Sequence, residues 1–102
     1  MATKKWYGRE DLERRLGPMT LAKCIRANRM AEELSQTAFA KKIGISRANL
    51  CDIEKGRKAV SPARAAKMAH VLGLSETYFV ALCLQDILRN AKLPYKVELK
   101  AA

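Results

Sequence analysis

Apolar positions recur at helical spacing in a series of short stretches separated by Gly, Pro and Ser. From Arg9 to Leu16 the chain reads REDLERRL, with Leu12 and Leu16 at i and i+4 among charges. That spacing predicts a short amphipathic helix, stopped by Gly17-Pro18. From about Thr20 to Glu33, Leu21, Ile25 and Arg29 fall at i, i+4 and i+8, so a second helix carries an arginine on its inward stripe. Phe39, Ala40 and Ile43 mark the inner face of a helix starting at Ser35 or Gln36. Gly44 ends it, and Ser46 caps a further helix to Lys55 in which Leu50 and Ile53 face inward. In Val60–Leu72, Ser61 is the cap and Pro62 the first helical residue. Ala65, Met68, Ala69 and Leu72 form the stripe that closes the core. After Gly73, Ser75 caps SETYFVALCLQDILRN.

The fold class that follows is all-α, with five to six helices. Tyr78 to Leu84 is an unbroken apolar run of seven, followed by Ile87 and Leu88. Apolar residues therefore cover more than one side of the last helix. One side can pack on the core and the other asks for a second chain, so Tyr78, Phe79, Leu82, Leu84, Ile87 and Leu88 are expected at a dimer or partner interface. Beyond Pro94, Tyr95, Val97 and Leu99 alternate with Lys96, Glu98 and Lys100. A period of two predicts a short strand that, without a sheet of its own, would pair with another chain, placing Tyr95 and Val97 at the same interface. A docked coil is the alternative.

Charge narrows the function. The 102 residues carry 20 Lys and Arg against 10 Asp and Glu, for +10. Residues 1–72 hold 16 basic and 7 acidic side chains, and residues 73–102 hold 4 and 3. A field of that sign attracts polyanions, and nucleic acid is the expected partner. No apolar run approaches the ~20 residues that span a bilayer, and MATKKWYGRE lacks the apolar centre of a signal peptide, so the cytoplasm is expected and a membrane is not. Cys24, Cys51 and Cys83 are far apart and odd in number, which suggests free thiols rather than disulfides or a zinc site. His70 is the only histidine and lies off its helix's inner stripe. No paired carboxylates, nucleophile with a base, metal spacing or phosphate-binding glycine loop stands out, so neither an enzyme nor a cofactor or metal is expected.

Only Gly44-Ile45-Ser46 joins the two central helices, which sets them at a steep angle and leaves the outer face of the second uncovered, the geometry of a helix-turn-helix. Here SQTAFAKKIGISRANLCDIEKGR resembles the Cro/CI-type helix-turn-helix of the XRE family of phage repressors, bacterial regulators and some antitoxins. The shared features are the opening glutamine, small Ala40, the turn glycine, Ile45, the capping serine, and the ending Ile53, Glu54 and Gly56. The resemblance covers roughly Leu21 to Leu74. It implies a lambda-repressor-like domain and an ion pair between Arg29 and Glu54, both of which lean toward the core.

The outward residues of the second motif helix are Arg47, Ala48, Asn49, Cys51 and Asp52. By resemblance, Arg47, Ala48 and Asp52 are the positions that read bases. Chemically, Arg47 suits guanine O6 and N7, Ala48 a thymine methyl, and Asp52 a cytosine amino group; Asn49 suits an adenine or a phosphate. Gln36 and Ser46 at helix N-termini, and Lys55, Arg57 and Lys58 at the helix exit, are expected on phosphates. Trp6 and Tyr7, beside Lys4 and Lys5, are able to reach DNA but equally to dock on their own domain. Three regions follow: an arm and short helix (1–19), the helix-turn-helix domain (20–74), and a helix and tail for dimerisation or partner binding (75–102). The expected function is a sequence-specific transcriptional regulator, a repressor, acting as a homodimer on an inverted repeat of double-stranded DNA without a small-molecule effector. The alternative is an antitoxin resembling the HigA antitoxins, which neutralises a toxin protein and regulates its own operon.

Overall fold

The structure is a computed structural model that describes residues 17–100 and 102. The arm and the helix expected over 9–16 lie outside the described residues. Five helices follow one another: α1 (Leu21–Ala31), α2 (Gln36–Ile43), α3 (Arg47–Glu54), α4 (Pro62–Leu72) and α5 (Glu76–Asn90). Each starts at a hydroxyl. Thr20, Ser35, Ser46, Ser61 and Ser75 have extended backbone, and their side-chain oxygens accept from the backbone N–H three residues on. Such a cap satisfies an N–H that the first turn leaves unpaired, and contributes about 1 kcal/mol.

The helices close around one core whose largest fully buried side chains are Ile25, Phe39, Leu50, Met68 and Phe79, one from each helix. α5 packs most extensively on α4. Two polar contacts tie α5 to distant parts of the chain: the Cys83 thiol donates to the Val60 carbonyl at 2.9 Å, and Asp86 Oδ2 accepts from the backbone N–H of Leu21 at 3.1 Å. Asp86 thus places a carboxylate at the N-terminal end of α1, where the helix dipole favours it, and Arg89 holds its other oxygen at 3.0 Å. Burial pushes both the Cys24 and Cys83 thiols up; the Asn28 side chain partly offsets this at Cys24, and the Asp86 charge adds to it at Cys83. Among the described residues no helix is long and apolar enough to cross a membrane.

Two expectations for the C-terminal third are corrected. Phe79 and Leu82 are not on an outer face but in the chain's own core, at 1% and 5% exposure. The inner stripe is Phe79, Leu82, Cys83 and Asp86, at i, i+3, i+4 and i+7, so its last member is polar and a count of apolar residues alone misses the phase. Leu84 and Leu88 are half-buried, which leaves Tyr78 and Ile87 as the exposed large apolar residues of α5. No strand forms over residues 93–100. A strand needs a neighbour, and here the tail is docked by a side chain: Gln85 donates to the Tyr95 carbonyl at 2.7 Å and accepts from the Val97 N–H at 2.8 Å.

Candidate nucleic-acid interface

The angle between α2 and α3 is set by their junction. Gly44 sits at φ 77°, in the left-handed region that costs glycine least, and lets Ile45 N–H reach back to the Ala40 carbonyl at 2.9 Å. Ser46 then caps α3, its hydroxyl accepting from Asn49 N–H at 3.1 Å. The turn is held from below by Ile43 and Ile45, the first buried and the second packed against the core.

The far end of α3 is fixed by a partly buried polar cluster. Arg29 on α1 meets the last residue of α3, Glu54, through two parallel bonds: Nε to Oε2 at 2.8 Å and Nη2 to Oε1 at 3.0 Å. A third comes from Gln36 on α2, whose Nε2 donates to Oε1 at 3.2 Å. Arg29 Nη1 also donates to the Leu34 carbonyl at 3.1 Å. With side-chain exposures of 16% and 4%, this pair joins α1, α2 and α3 at one point. Burial by itself would push the Glu54 carboxyl up. The hydrogen bonds from Arg29 and Gln36 and the charges of Arg29 and Arg26 outweigh it and hold the carboxyl below its ordinary range. The same bond to Glu54 raises Arg29 further, against burial.

α3 ends on Gly56, at φ 75°, with Arg57 N–H bonded to the Asp52 carbonyl at 2.8 Å and Gly56 N–H to that of Ile53 at 3.0 Å. This Schellman closure places Lys55, Arg57 and Lys58 together at the exit of the helix, all three exposed.

A surface results with an exposed helix face and a cationic margin. Arg47 and Ala48 are exposed in the first turn of α3, and Arg47 makes no ion pair among the described residues. Asn49 and Asp52 are half-buried, and both are engaged. Lys58 Nζ donates to Asn49 Oδ1 at 2.8 Å, and the Asp52 carboxylate lies 3.9 Å from Arg57. Because an ammonium only donates, the Asn49 amide keeps its oxygen on Lys58 and turns its N–H groups outward. Gln36 is half-buried, its amide turned inward to Glu54. The backbone N–H groups at the start of α2, below the Ser35 cap, are what that helix end offers an anion.

A family model described as Helix-turn-helix matches residues 25–79, more than half of the chain. The chain belongs to this helix-turn-helix family. The segment SQTAFAKKIGISRANLCDIEKGR and all of α2, α3 and α4 lie within the match. No curated protein matches the chain. Among solved structures, this helix-turn-helix protein is similar to a hypothetical transcription factor, NHTF, from Neisseria. The two are 28% identical with a TM-score of 0.53, over 70% of this chain and 79% of that one. The family makes it a DNA-binding protein of the transcription-regulator kind.

Two contacts in the site, Gln36 with Glu54 and Lys58 with Asn49, and one outside it, Asp86 with the start of α1, had no counterpart among the contacts expected from the sequence. The first two join residues 18 and 9 positions apart through long polar side chains, for which neither periodicity nor spacing gives a signal. The third had one, since Asp86 continues the inner stripe of α5.

Proposed function

We propose that this protein is a sequence-specific transcriptional repressor that binds an inverted-repeat operator as a homodimer. The observation that carries the reading is the surface of α3. An arginine that makes no ion pair among the described residues and an alanine stand at its exposed start, and three cations gather at its exit. A major groove admits one α-helix, and Arg47 is the residue type that discriminates guanine through two parallel hydrogen bonds. Ala48 lets the helix approach closely. Lys55, Arg57 and Lys58 would lie along the backbone, where they add affinity without sequence preference. Two such helices about a two-fold axis would enter successive major grooves about 34 Å apart, so the half-sites would be roughly one turn apart. Residues 20–74 would read DNA, and residues 75–102 would assemble the active form. The likeness to a Neisseria protein described as a hypothetical transcription factor supports the regulatory role.

The test is a footprint and titration on the DNA upstream of the protein's own gene, against a scrambled duplex at physiological salt. Protection of an inverted repeat with affinity ~10³-fold above the scrambled duplex is expected. Weak, salt-sensitive binding to both alike would refute sequence readout. A second reading, an antitoxin that binds a toxin through its C-terminal third, is favoured by the exposed Leu93, Tyr95 and Leu99 of the tail. A toxin reading frame beside the gene and a stable complex on co-expression distinguish it.

A further inference from the structure

We propose that two copies of this chain join through their C-terminal tails, Tyr95–Leu99 of one pairing antiparallel with Tyr95–Leu99 of the other about Val97. The inference rests on the homodimer proposed above and adds where the copies meet and in which register.

In an extended chain the N–H and C=O of alternate residues point to the same edge. The Gln85 amide takes the carbonyl of Tyr95 and the N–H of Val97, and so stands where a neighbouring strand would be on that edge. The opposite edge carries the N–H and C=O groups of Lys96 and Glu98, which have no partner among the described residues. An open edge of this kind is a template for another chain. It is already fixed in place, so pairing does not have to order it.

The edge restricts the register. In an antiparallel pair, residues that exchange both backbone hydrogen bonds lie directly opposite one another, and on this edge only even-numbered residues can do so. Around a two-fold axis within Tyr95–Leu99 five centres are available. Centred on Tyr95, Lys96 faces Pro94, which has no N–H to give, and centred on Leu99, Glu98 faces Lys100 but Tyr95 has no apolar residue opposite it. Centred on Lys96, lysine faces lysine and Glu98 faces Pro94, which has no N–H to give. Centred on Glu98, glutamate faces glutamate and Lys96 faces Lys100. Centred on Val97, Lys96 of each copy faces Glu98 of the other, and Tyr95 faces Leu99, both twice. Opposite charges directly across a ladder are favourable and like charges are not, which removes the Lys96 and Glu98 centres; of the charge-matched registers, the one centred on Val97 also sets Tyr95 against Leu99, and the sequence selects it. Burial agrees with it. Lys96 and Glu98 are exposed and Val97 is half-buried against its own chain, while Tyr95 at 63% and Leu99 at 36% keep apolar surface that the facing residue would cover.

The test is sedimentation of the full chain as wild type, K96E, E98K, the double variant K96E/E98K, and an equal mixture of the two single variants. All substitutions are at exposed positions, and circular dichroism checks the fold. Each single variant turns two attractions into two repulsions and is expected to raise the dimer dissociation constant by on the order of tenfold. The double variant restores Lys–Glu opposition and is expected to return close to wild type. The mixture is expected to form a heterodimer tighter than either single variant alone. A wild-type dimer that neither single variant weakens would overturn the tail pairing and leave the homodimer standing on another surface. A wild type that stays monomeric both free and on operator DNA would overturn the homodimer itself.

Discussion

Glu54→Ala tests whether the clamp behind the reading helix holds the fold together. The substitution removes an acceptor of three hydrogen bonds, two of them from a guanidinium, and leaves Arg29 with the Leu34 carbonyl as its remaining bond. Taking one partner from a buried pair costs roughly 3–5 kcal/mol because the other charge is stranded. Arg29 keeps 16% of its side chain in water, which places the loss at the lower end, about 3 kcal/mol. At roughly 4–8 °C per kcal/mol for a domain of this size, the melting temperature should fall by about 12–24 °C at neutral pH, followed by circular dichroism. The acid limb gives an independent check. A carboxyl whose folded pKa is depressed contributes stability that is complete above the unfolded value of about 4.3 and is lost as pH falls through the folded value. Glu54→Gln resembles the protonated side chain, so the wild-type advantage over it should be constant near neutral pH and shrink steadily below about pH 4. An unchanged melting temperature for Glu54→Ala would refute the clamp. A difference between wild type and Glu54→Gln that is the same at all pH values would refute the depressed carboxyl.

Three further substitutions have expected outcomes. Arg47→Ala should cost about 1–3 kcal/mol on the operator in a fluorescence titration and relax preference at one base pair, whereas Lys58→Ala should weaken all sequences alike and lower the salt slope by about one. If the Lys58→Ala loss depends on sequence, Lys58 acts by orienting the Asn49 amide rather than on phosphate. Glu33, at φ 56° between α1 and α2, is a non-glycine residue in the left-handed region, and Glu33→Gly should stabilise the chain by about 0.5–1 kcal/mol. A lower melting temperature for that variant would show that the strain is not relieved there.

How far the sequence could be read depended on the range of the interaction. Helix caps and turns are local chemistry, so Ser35, Ser46, Ser61 and Ser75, Gly44 and the start of α4 at Pro62 were legible from neighbouring residues alone. The inward phase of α1 was legible because Leu21, Ile25 and Arg29 recur at i, i+4 and i+8, although buried Cys24 lies on the same side. In α5 the same rule had too many apolar candidates to choose from, so Phe79 and Leu82 were assigned outward when they are core. The tail misled differently. Its alternation is genuine, but a strand is a property of two chains or two segments, and among the described residues a glutamine side chain is the neighbour on one edge. Contacts such as Lys58 with Asn49 depend on where a flexible side chain reaches after the helix has been closed by Gly56. Spacing in the sequence carries no such information.

The two ends of α3 are held in unlike ways, and this bears on how the specificity proposed for it would change. At the C-terminal end, Arg29 and Gln36 converge on Glu54, Gly56 closes the helix, and Leu50 and Ile53 are buried. At the N-terminal end the Ser46 cap is local, and the side chains of Arg47 and Ala48 project outward without a bond to the rest of the described chain. Substitutions of exposed side chains away from caps and buried contacts usually change stability by less than ~0.5 kcal/mol, whereas a single base-reading pair is worth about 1–3 kcal/mol of discrimination. On the proposed base-reading role, changes at positions 47 and 48 would alter which DNA is bound at almost no cost to folding. Asn49 and Asp52 cannot do so as freely, since Asn49 donates its backbone N–H to the cap and accepts from Lys58 through its side-chain oxygen, and the Asp52 carbonyl holds the turn that carries Arg57. The separation of rigid support from readable surface runs along a single eight-residue helix.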